Sequence, residues 1–309
     1  MSSTISSLEI LKSLSEATSE LVQKLSPSIV NVKTRMTGGT GVVLTPDGHV
    51  VTCNHVLGRS AQVRIGAGEK TVEAKTVGFD PYSDVAVLKA QEGTFKPIEL
   101  GDSSNLSTGQ FVIALANPFN RQPTATTGII TNPNASIRGW RSMSMDNVIA
   151  TDARLNPGFS GGPLVDVSGK MIGLNAAYVW QRGIAIPIDR VKSIANRLMS
   201  GGQLKRAYLG IISDTVRIPS ETARQAQLAQ DTGVMIFQVE QGTPARKAGL
   251  AMGDVIVGLD QKPVTSFYDL PRLLTEDLIG KKTTIKILRG EKIAQLTVVP
   301  SEAEIENDD

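Results

Sequence analysis

Between Ile29 and about Ile188 the sequence is cut into short runs rich in valine, isoleucine and threonine, and this texture constrains the fold more than any other feature. The runs are Ser28–Thr34, Thr40–Leu44, His49–Thr52, Ala61–Ile65, Val85–Lys89, Phe111–Ala116, Thr124–Ile130, Val148–Thr151, Met171–Tyr178 and Gly183–Pro187. Glycine, proline, aspartate and asparagine separate them. Pro46-Asp47-Gly48 is a turn with a mechanism, since proline presets φ and glycine accepts positive φ. Strands this short and this closely spaced, with hardly any helix, specify antiparallel barrels or a sandwich. They exclude a doubly wound parallel sheet, which needs a helix between successive strands.

Helical patterns flank this region. Over residues 5–25, Leu8, Leu11, Leu14, Leu21 and Leu25 recur at three- and four-residue spacings, with Glu9, Lys12, Glu16 and Lys24 between them. The plain reading is a helix packed on its own domain; an oligomer contact and membrane association are the alternatives, the last disfavoured by a polar face that is not strongly basic. A second helix is expected over Asp189–Ser200, stopped by Gly201-Gly202. Beyond it, Arg206 to Pro300 reads as a small α+β module. Strands are expected near 209–213, 233–239, 255–259, 283–288 and 293–299, with one short helix capped by Thr243 and Gly249 and another over Phe267–Thr275. The expected division is therefore an N-terminal amphipathic helix (1–26), a mostly β domain (27–200), the α+β module (206–300) and an acidic tail (301–309).

Composition narrows the function. The chain of 309 residues carries 32 basic and 30 acidic side chains, a net charge of +2. The last nine residues hold five acids and no base, which leaves +7 on residues 1–300. No basic run accompanies that excess, so nucleic acid is not an expected partner. A single cysteine, Cys53, forbids an intramolecular disulfide and a cysteine-based zinc site, and two histidines make a multi-histidine metal site implausible. No metal and no cofactor are expected; a nucleotide enzyme is disfavoured because no glycine-rich phosphate loop opens a helix. No apolar stretch approaches the length of a membrane span, and no export signal is seen at the N-terminus. On that ground the cytoplasm is weakly favoured as the compartment.

The chemistry concentrates in Asn156-Pro-Gly-Phe-Ser160-Gly-Gly-Pro-Leu164. Three glycines around one serine leave its hydroxyl uncrowded and let the amides of Gly158 and Ser160 point together at an oxyanion. A glycine-rich turn with a solvated serine is the bland alternative. His55 follows a strand in Val51-Thr-Cys-Asn-His55-Val, and Asp84 opens an apolar strand in Tyr82-Ser-Asp84-Val-Ala-Val-Leu-Lys89, where a buried carboxylate needs a partner. An imidazole between an acid and a serine hydroxyl is what nucleophilic catalysis needs near neutral pH. His49 reads as a turn residue, and Cys53 as a small core filler.

Taken in order, these motifs resemble the HtrA/Deg family of serine proteases. The landmarks are Ser26-Pro-Ser-Ile-Val-Asn-Val32, Gly39-Thr-Gly-Val-Val43, Thr52-Cys-Asn-His55-Val, Asp80-Pro-Tyr-Ser-Asp84, Leu100-Gly-Asp-Ser-Ser104, Ala116-Asn-Pro-Phe119, Thr151-Asp-Ala153, Asn156–Pro163 and Ala185-Ile-Pro187. The resemblance implies a chymotrypsin-like double β-barrel followed by one PDZ domain. It makes His55 the general base, Asp84 the group that orients its ring, Ser160 the nucleophile, and the amides of Gly158 and Ser160 the oxyanion hole. It places Leu155, Tyr178 and Val179 around an apolar specificity pocket, hence cleavage after small or medium apolar residues, with the substrate lying as a strand along Asn175–Tyr178. Tyr208-Leu209-Gly210-Ile211 resembles the PDZ loop that receives a peptide's C-terminal carboxylate.

Further implications are ATP-independent degradation of unfolded proteins, C-terminal peptides as ligands of the PDZ domain, and assembly as a homotrimer or higher oligomer. Loops near 120–123, 134–147 and 178–182 would switch between resting and active forms. Relatives of this layout are usually extracytoplasmic. Two departures stand out. Phe159 occupies a position where the family usually has asparagine, and its ring is expected either to alter the loop or to crowd the leaving-group side. Arg154 stands where a small residue is common; it is a surface residue or one that reaches the specificity pocket. The rival reading is a catalytically silent, chaperone-like peptide binder on the same scaffold.

Overall fold

The computed structural model describes residues 7–58, 60, 62–67, 70–119, 123–140, 143–201, 206–267 and 269–302. Residues 303–309 of the acidic tail, residues 120–122 of the first proposed switch loop and Gly202 lie outside the described residues. The chain divides into two compact units, Met1–Gln203 and Leu204–Asp309.

The first unit holds two closed barrels of six antiparallel strands. Barrel 1 comprises β1 (Ile29–Lys33), β2 (Gly38–Val43), β3 (His49–Cys53), β4 (Val63–Ala67), β5 (Lys70–Asp80) and β6 (Val85–Ala90), with a one-turn helix, α2 (Asn54–Leu57), after β3 and the N-terminal helix α1 (Ser7–Leu25) before β1. Its order is β1-β2-β3-β6-β5-β4, and β4 closes back on β1 through Val32↔Ile65 and Lys33↔Arg64. Barrel 2 comprises β7 (Phe111–Ala116), β8 (Thr124–Trp140), β9 (Met143–Thr151), β10 (Pro163–Val165), β11 (Met171–Val179) and β12 (Arg182–Pro187). Closure removes every open sheet edge, which is why so many short strands can coexist without aggregating. The alternation of side chains sends Val30, Val32, Val50, Ile65 and Leu88 into the first barrel and Val112, Ile130, Ile149, Leu164 and Ile172 into the second. Each such side chain contributes about 1.5–3 kcal/mol on leaving water.

Two strands escape the sequence pattern. β5 is largely exposed along its length and carries four charged residues, so it lacks the apolar signature. β10 is only three residues long and follows directly on the glycine loop. Helix α1 also differs from its plain reading. Leu8, Ile10, Leu11 and Leu14 are exposed, and only the last turn meets the barrel, where Leu25 is buried and Leu21 lies against the Gly169 turn. The remaining turns run clear of the surface that could bury their stripe.

Helix α3 (Ile188–Met199) follows β12 and buries Ile188, Val191, Ile194, Ala195 and Leu198 against β5, β6 and β11, so it spans both barrels. Its first turn is tied to the segment joining the barrels: the Ser103 amide and hydroxyl donate to Asp189 at 2.8 and 2.6 Å, and Lys192 Nζ donates to Asp189 at 3.0 Å and to the Gly101 carbonyl at 2.7 Å. His49 closes the Pro46–Gly48 turn, as anticipated, through Thr45 at 3.0 Å.

The second unit is built on a five-strand antiparallel run, β14 (Ile211–Arg217), β15 (Thr232–Val239), β16 (Val255–Leu259), β18 (Thr283–Arg289) and β19 (Lys292–Val298), with β17 (Lys262–Pro263) pairing β16. A small pair, β13 (Ala207–Tyr208) and β20 (Ser301–Glu302), stands apart from it. Helices α5 (Pro244–Lys247) and α6 (Asp269–Leu273) are the two anticipated, and α4 (Ser220–Gln225) is additional. Thr243 caps α5 as its sequence suggests, accepting from the Arg246 amide at 3.5 Å, and Gly249 takes the left-handed conformation one residue beyond the C-cap. Leu209, Val234, Ile236, Leu250, Ile256 and Ile285 form the core.

The Asp189 clamp has a pH signature. Hydrogen bonds from Ser103 hold its carboxyl at about 2, below the usual carboxylate value. A depressed folded value stabilises the fold above the unfolded value and is lost as the pH falls through the folded one. Urea unfolding of the first unit should thus weaken as the pH drops from about 4 toward about 2. Asp189→Asn should flatten that slope and cost about 1 kcal/mol at neutral pH.

Candidate active site

The register of barrel 1 brings two distant residues together. In the β3–β6 pairing Cys53 lies opposite Val85, so the residues that leave β3 meet those that enter β6. The Asn54 amide donates to the Asp84 carbonyl at 3.1 Å, and the His55 amide to Asp84 Oδ1 at 2.9 Å. The turn below is nucleated by Asp80, which accepts from the Ser83 hydroxyl at 2.5 Å and the Tyr82 amide at 3.2 Å. Asp84 itself is 1 % exposed and holds φ at 57°, an unusual conformation for a residue with a side chain. Its other oxygen, Oδ2, meets His55 Nδ1 at 2.6 Å. A carboxylate only accepts, so Nδ1 carries the proton and Nε2 is left as the basic nitrogen. Val56 and Leu57 of α2 are buried and anchor the helical turn that carries His55.

Ser160 arrives from barrel 2, in the loop between β9 and β10. The loop is stitched to β11 and to barrel 1: Gly161 N donates to the Asn175 carbonyl at 2.8 Å, and Thr40 N donates to the Ser160 carbonyl at 2.9 Å. Gly161 has φ of +84°, and a Cβ there would sit 2.0 Å from the Thr40 carbonyl oxygen, so no other residue fits. The Ser160 hydroxyl donates to the Ala176 carbonyl at 2.9 Å. The Gly158 carbonyl is held by the Thr40 hydroxyl at 2.7 Å, and the Phe159 amide by the Asn156 carbonyl at 3.0 Å. Among the described residues, no protein acceptor takes the amides of Gly158 and Ser160.

Thr40 was not singled out from sequence. Its hydroxyl donates to Gly158, accepts from the Asn117 amide at 2.9 Å, and its carbonyl accepts from Thr52 at 2.7 Å. Asn31 is a second unforeseen tie, its amide nitrogen reaching the Asn117 and Pro118 carbonyls at 3.1 and 2.9 Å. An asparagine inside an otherwise apolar strand run is the one sequence signal that could have found it.

Phe159 neither distorts the loop nor crowds the leaving-group side. Its ring is 1 % exposed and sits in the barrel 2 core with Val112, Ala114, Ile130, Leu155 and Leu164. The silent-scaffold rival, which leaned on this ring, loses its support. Leu155 is buried in the same cluster, Tyr178 is 42 % exposed at the end of β11, and Val179 is half-buried beside it. Arg154 is an exposed residue. Cys53 is a buried free thiol donating to the Asn175 carbonyl at 3.3 Å. Among the described residues Cys53, His55 and Asp84 form the one group whose potential ligand atoms lie within 4.8 Å of one another. The His55–Asp84 hydrogen bond already engages two of these three, so a cation would have to break that pair.

In the second unit the Tyr208–Ile211 loop is pinned from several sides. The Tyr208 hydroxyl donates to Glu240 at 2.5 Å, Ala245 N donates to the Leu209 carbonyl at 2.8 Å, and Glu240 N to the Gly210 carbonyl at 3.0 Å. Gly210 holds φ at +80°, with Thr243 2.3 Å from where a Cβ would stand. The loop leads into β14, which is an edge strand with Ile212 exposed.

Comparison with known proteins matches this geometry. Residues 39–174 match the trypsin-like peptidase domain family, and residues 209–299 the PDZ domain family. An HtrA-type protease, AlgW, solved with a decapeptide, superposes with a TM-score of 0.72 at 27 % identity, covering 92 % of this chain and 98 % of that one. The serine endoprotease from Yersinia pestis gives 0.68 at 27 %, covering 93 % and 98 %. The chain belongs to the HtrA family of serine proteases.

Among HtrA relatives, a protein of Pseudomonas fluorescens named as a probable periplasmic DegP-like serine endoprotease is 33 % identical over 85 % of this chain and 57 % of its own length. One of Chlamydia trachomatis with the same name is 35 % identical over 87 % of this chain and 55 % of its length. The chain thus spans a little over half the length of these relatives. Their names correct the cytoplasmic expectation: both are named as probable periplasmic proteins, which points to an extracytoplasmic rather than a cytoplasmic setting. No described helix is long and apolar enough to cross a membrane.

The packing of Phe159 has a measurable consequence. Phe159→Ala should leave a cavity beneath the serine loop and lower the stability of the first unit by about 3–5 kcal/mol. Denaturant unfolding followed by circular dichroism checks it; a loss below about 1 kcal/mol would mean that the ring is not a core residue.

Proposed function

We propose that this chain is a serine endopeptidase acting on unfolded or misfolded proteins, independent of ATP and working through an acyl-enzyme. The observation that carries the reading is the 2.6 Å contact of His55 Nδ1 with the buried Asp84 carboxylate, together with a serine loop in which the amides of Gly158 and Ser160 have no acceptor among the described residues. In this reading, rotation about the Ser160 Cα–Cβ bond would take Oγ off the Ala176 carbonyl and toward His55 Nε2. Oγ then attacks the scissile carbonyl carbon while its proton passes to Nε2. The developing oxyanion is received by the amides of Gly158 and Ser160, a contribution worth about 10²–10³ in rate per donor. Collapse expels the amine, which takes the proton from His55. Water repeats the sequence and frees the acid. Asp84 steadies the imidazolium throughout and keeps its proton on Nδ1.

The acyl half of the substrate would lie as an added strand along Asn175–Tyr178, with apolar Leu155 and the end of β11 favouring a small or medium apolar residue before the cut. Trp180 and Gln181 both hold positive φ in the turn after β11. Such conformations cost about 1 kcal/mol or more each, which suits this turn to a role in switching between resting and active forms. The AlgW structures contain bound peptides. By that likeness, the β14 edge and the Tyr208–Ile211 loop would hold a peptide C-terminus and report its presence to the protease. A homotrimer or higher oligomer is the assembly proposed.

Exposure to a fluorophosphonate, with an apolar-ending peptide present, should place an adduct on Ser160. Ser160→Ala should lower hydrolysis of a denatured protein by about 10⁴-fold or more, and His55→Ala should abolish the adduct. Unchanged hydrolysis by the Ser160→Ala protein would sink the reading.

The second unit is tested separately. In a Ser160→Ala background, Gly210→Ala should displace the loop and weaken binding of an apolar-ending peptide by about tenfold, about 1.4 kcal/mol, read by fluorescence anisotropy. Equal affinity would remove the loop from peptide binding.

A further inference from the structure

Beside the serine, on the barrel 1 side, lies a depression of about 560 Å³ that the catalytic reading leaves unused. Its walls touch the nucleophile loop. Pro118, on one wall, sits 2.4 Å from where a Cβ of Gly158 would stand. Gly38, on another, precedes Gly39, whose own Cβ would lie 2.8 Å from the Ser160 carbonyl oxygen. Thr37, also on the wall, donates to the carbonyl of Val56, the residue after His55, at 2.7 Å. Ser160 therefore stands between two surfaces. Its hydroxyl faces β11, where the acyl half of a substrate would lie; its carbonyl faces β2 and this depression. A chain crossing the serine in extended form carries its departing half over the depression.

The floor follows from strand register. Pairing of β2, β1, β4 and β5 sets Gly38, Lys33, Arg64 and Glu73 in one row and Thr40, Asn31, Gly66 and Thr71 in the next. Gly66 has no side chain, so the second row is hollow at its centre. The first row places two cations directly opposite each other, an arrangement that costs stability unless an anion joins them. Both are exposed, and neither makes an ion pair or a side-chain hydrogen bond with any described residue, Glu73 included. By strand dimensions they lie about 8 and about 12 Å from Thr40, the reach of about the third or fourth residue beyond the scissile bond.

We propose that this depression is a subsite for the departing half of the substrate, in which Lys33 and Arg64 select for a carboxylate. The carboxylate is either an aspartate or glutamate side chain or the free C-terminus of a chain that ends there. The proposal rests on the endopeptidase reading and deepens it. A cationic subsite on the leaving side and an apolar one on the acyl side would let the same serine discriminate among unfolded chains that share an apolar residue before the cut.

The test uses the full chain and internally quenched peptides identical up to the cut. One pair carries glutamate or glutamine at the third and fourth positions beyond it; a second pair ends there as a free acid or an amide. In the wild-type protein the charged member of at least one pair should be favoured in kcat/KM by about threefold to tenfold at low salt. The preference should shrink at about 0.5 M salt. In the doubly substituted Lys33→Gln/Arg64→Gln protein the ratio should fall toward one, and because it is a ratio within one preparation, partial unfolding does not imitate the result. Which pair responds identifies the source of the carboxylate. Mapping the cuts in a denatured protein should show acidic residues enriched at those positions for the wild type alone. Ratios near one for both pairs, with the peptides cleaved, overturn the subsite and leave the endopeptidase reading standing, as does a preference that survives the double substitution. Absence of the Ser160 fluorophosphonate adduct overturns both.

Discussion

One hydroxyl and one amide on β2 tie the two barrels together at the candidate site. Thr40 N donates to the Ser160 carbonyl, its Oγ1 donates to the Gly158 carbonyl and accepts from the Asn117 amide, and its own carbonyl accepts from Thr52. His55 and Asp84 belong to barrel 1 and Ser160 to barrel 2, so the proposed triad would exist only while this seam is closed. A hydrogen bond between neutral groups is worth about 1 kcal/mol net, but an unmet buried carbonyl costs more than that. Four such bonds converge on one small residue. Gly161 must have no side chain because Thr40 comes this close.

Within barrel 1 the positioning is of a different kind. The β3–β6 register, itself set by which faces of the strands are apolar, delivers Asn54 and Asp84 to the same level, and a shift of one residue would turn the carboxylate outward. Asp84 is held in a left-handed conformation by the Asp80 turn on one side and by the amides of Asn54 and His55 on the other. Strain kept at that point is offset by the hydrogen bonds it permits. The imidazole is thereby oriented before any substrate arrives, which is what preorganisation requires of a base.

Much of this was legible in the sequence, and the reasons are local. Alternating valines marked most of the strands, Thr243-Pro244 marked a helix start, and the glycines around Ser160 marked a loop that backbone must approach closely. What stayed hidden was non-local. β5 is charged because it curves around the outside with little to bury, and β10 is too short for any pattern. Thr40 and Asn31 look like ordinary strand residues until the second barrel is folded against them. Phe159 occupies a position next to the nucleophile, and only the barrel 2 core shows that its ring points inward. The leucine stripe of α1 reads as a packed face, yet an amphipathic pattern states that a partner is needed and not where it lies.

By the proposed reading the seam would also divide the substrate. The acyl half would then meet barrel 2, with β11 as its proposed strand partner and Leu155 as its apolar contact. The departing half would meet the outer face of barrel 1, where Gly66 leaves a hollow and Lys33 opposes Arg64 across the β1–β4 pair. Barrel closure fixes β4 beside β1, so Lys33 and Arg64 are held opposite each other at the backbone by the shape of the barrel. An enzyme of the proposed kind that recognised apolar residues alone would treat most unfolded chains alike. Recognition split between two barrels allows each half to vary on its own surface without disturbing the hydrogen bonds through Thr40 that hold the serine.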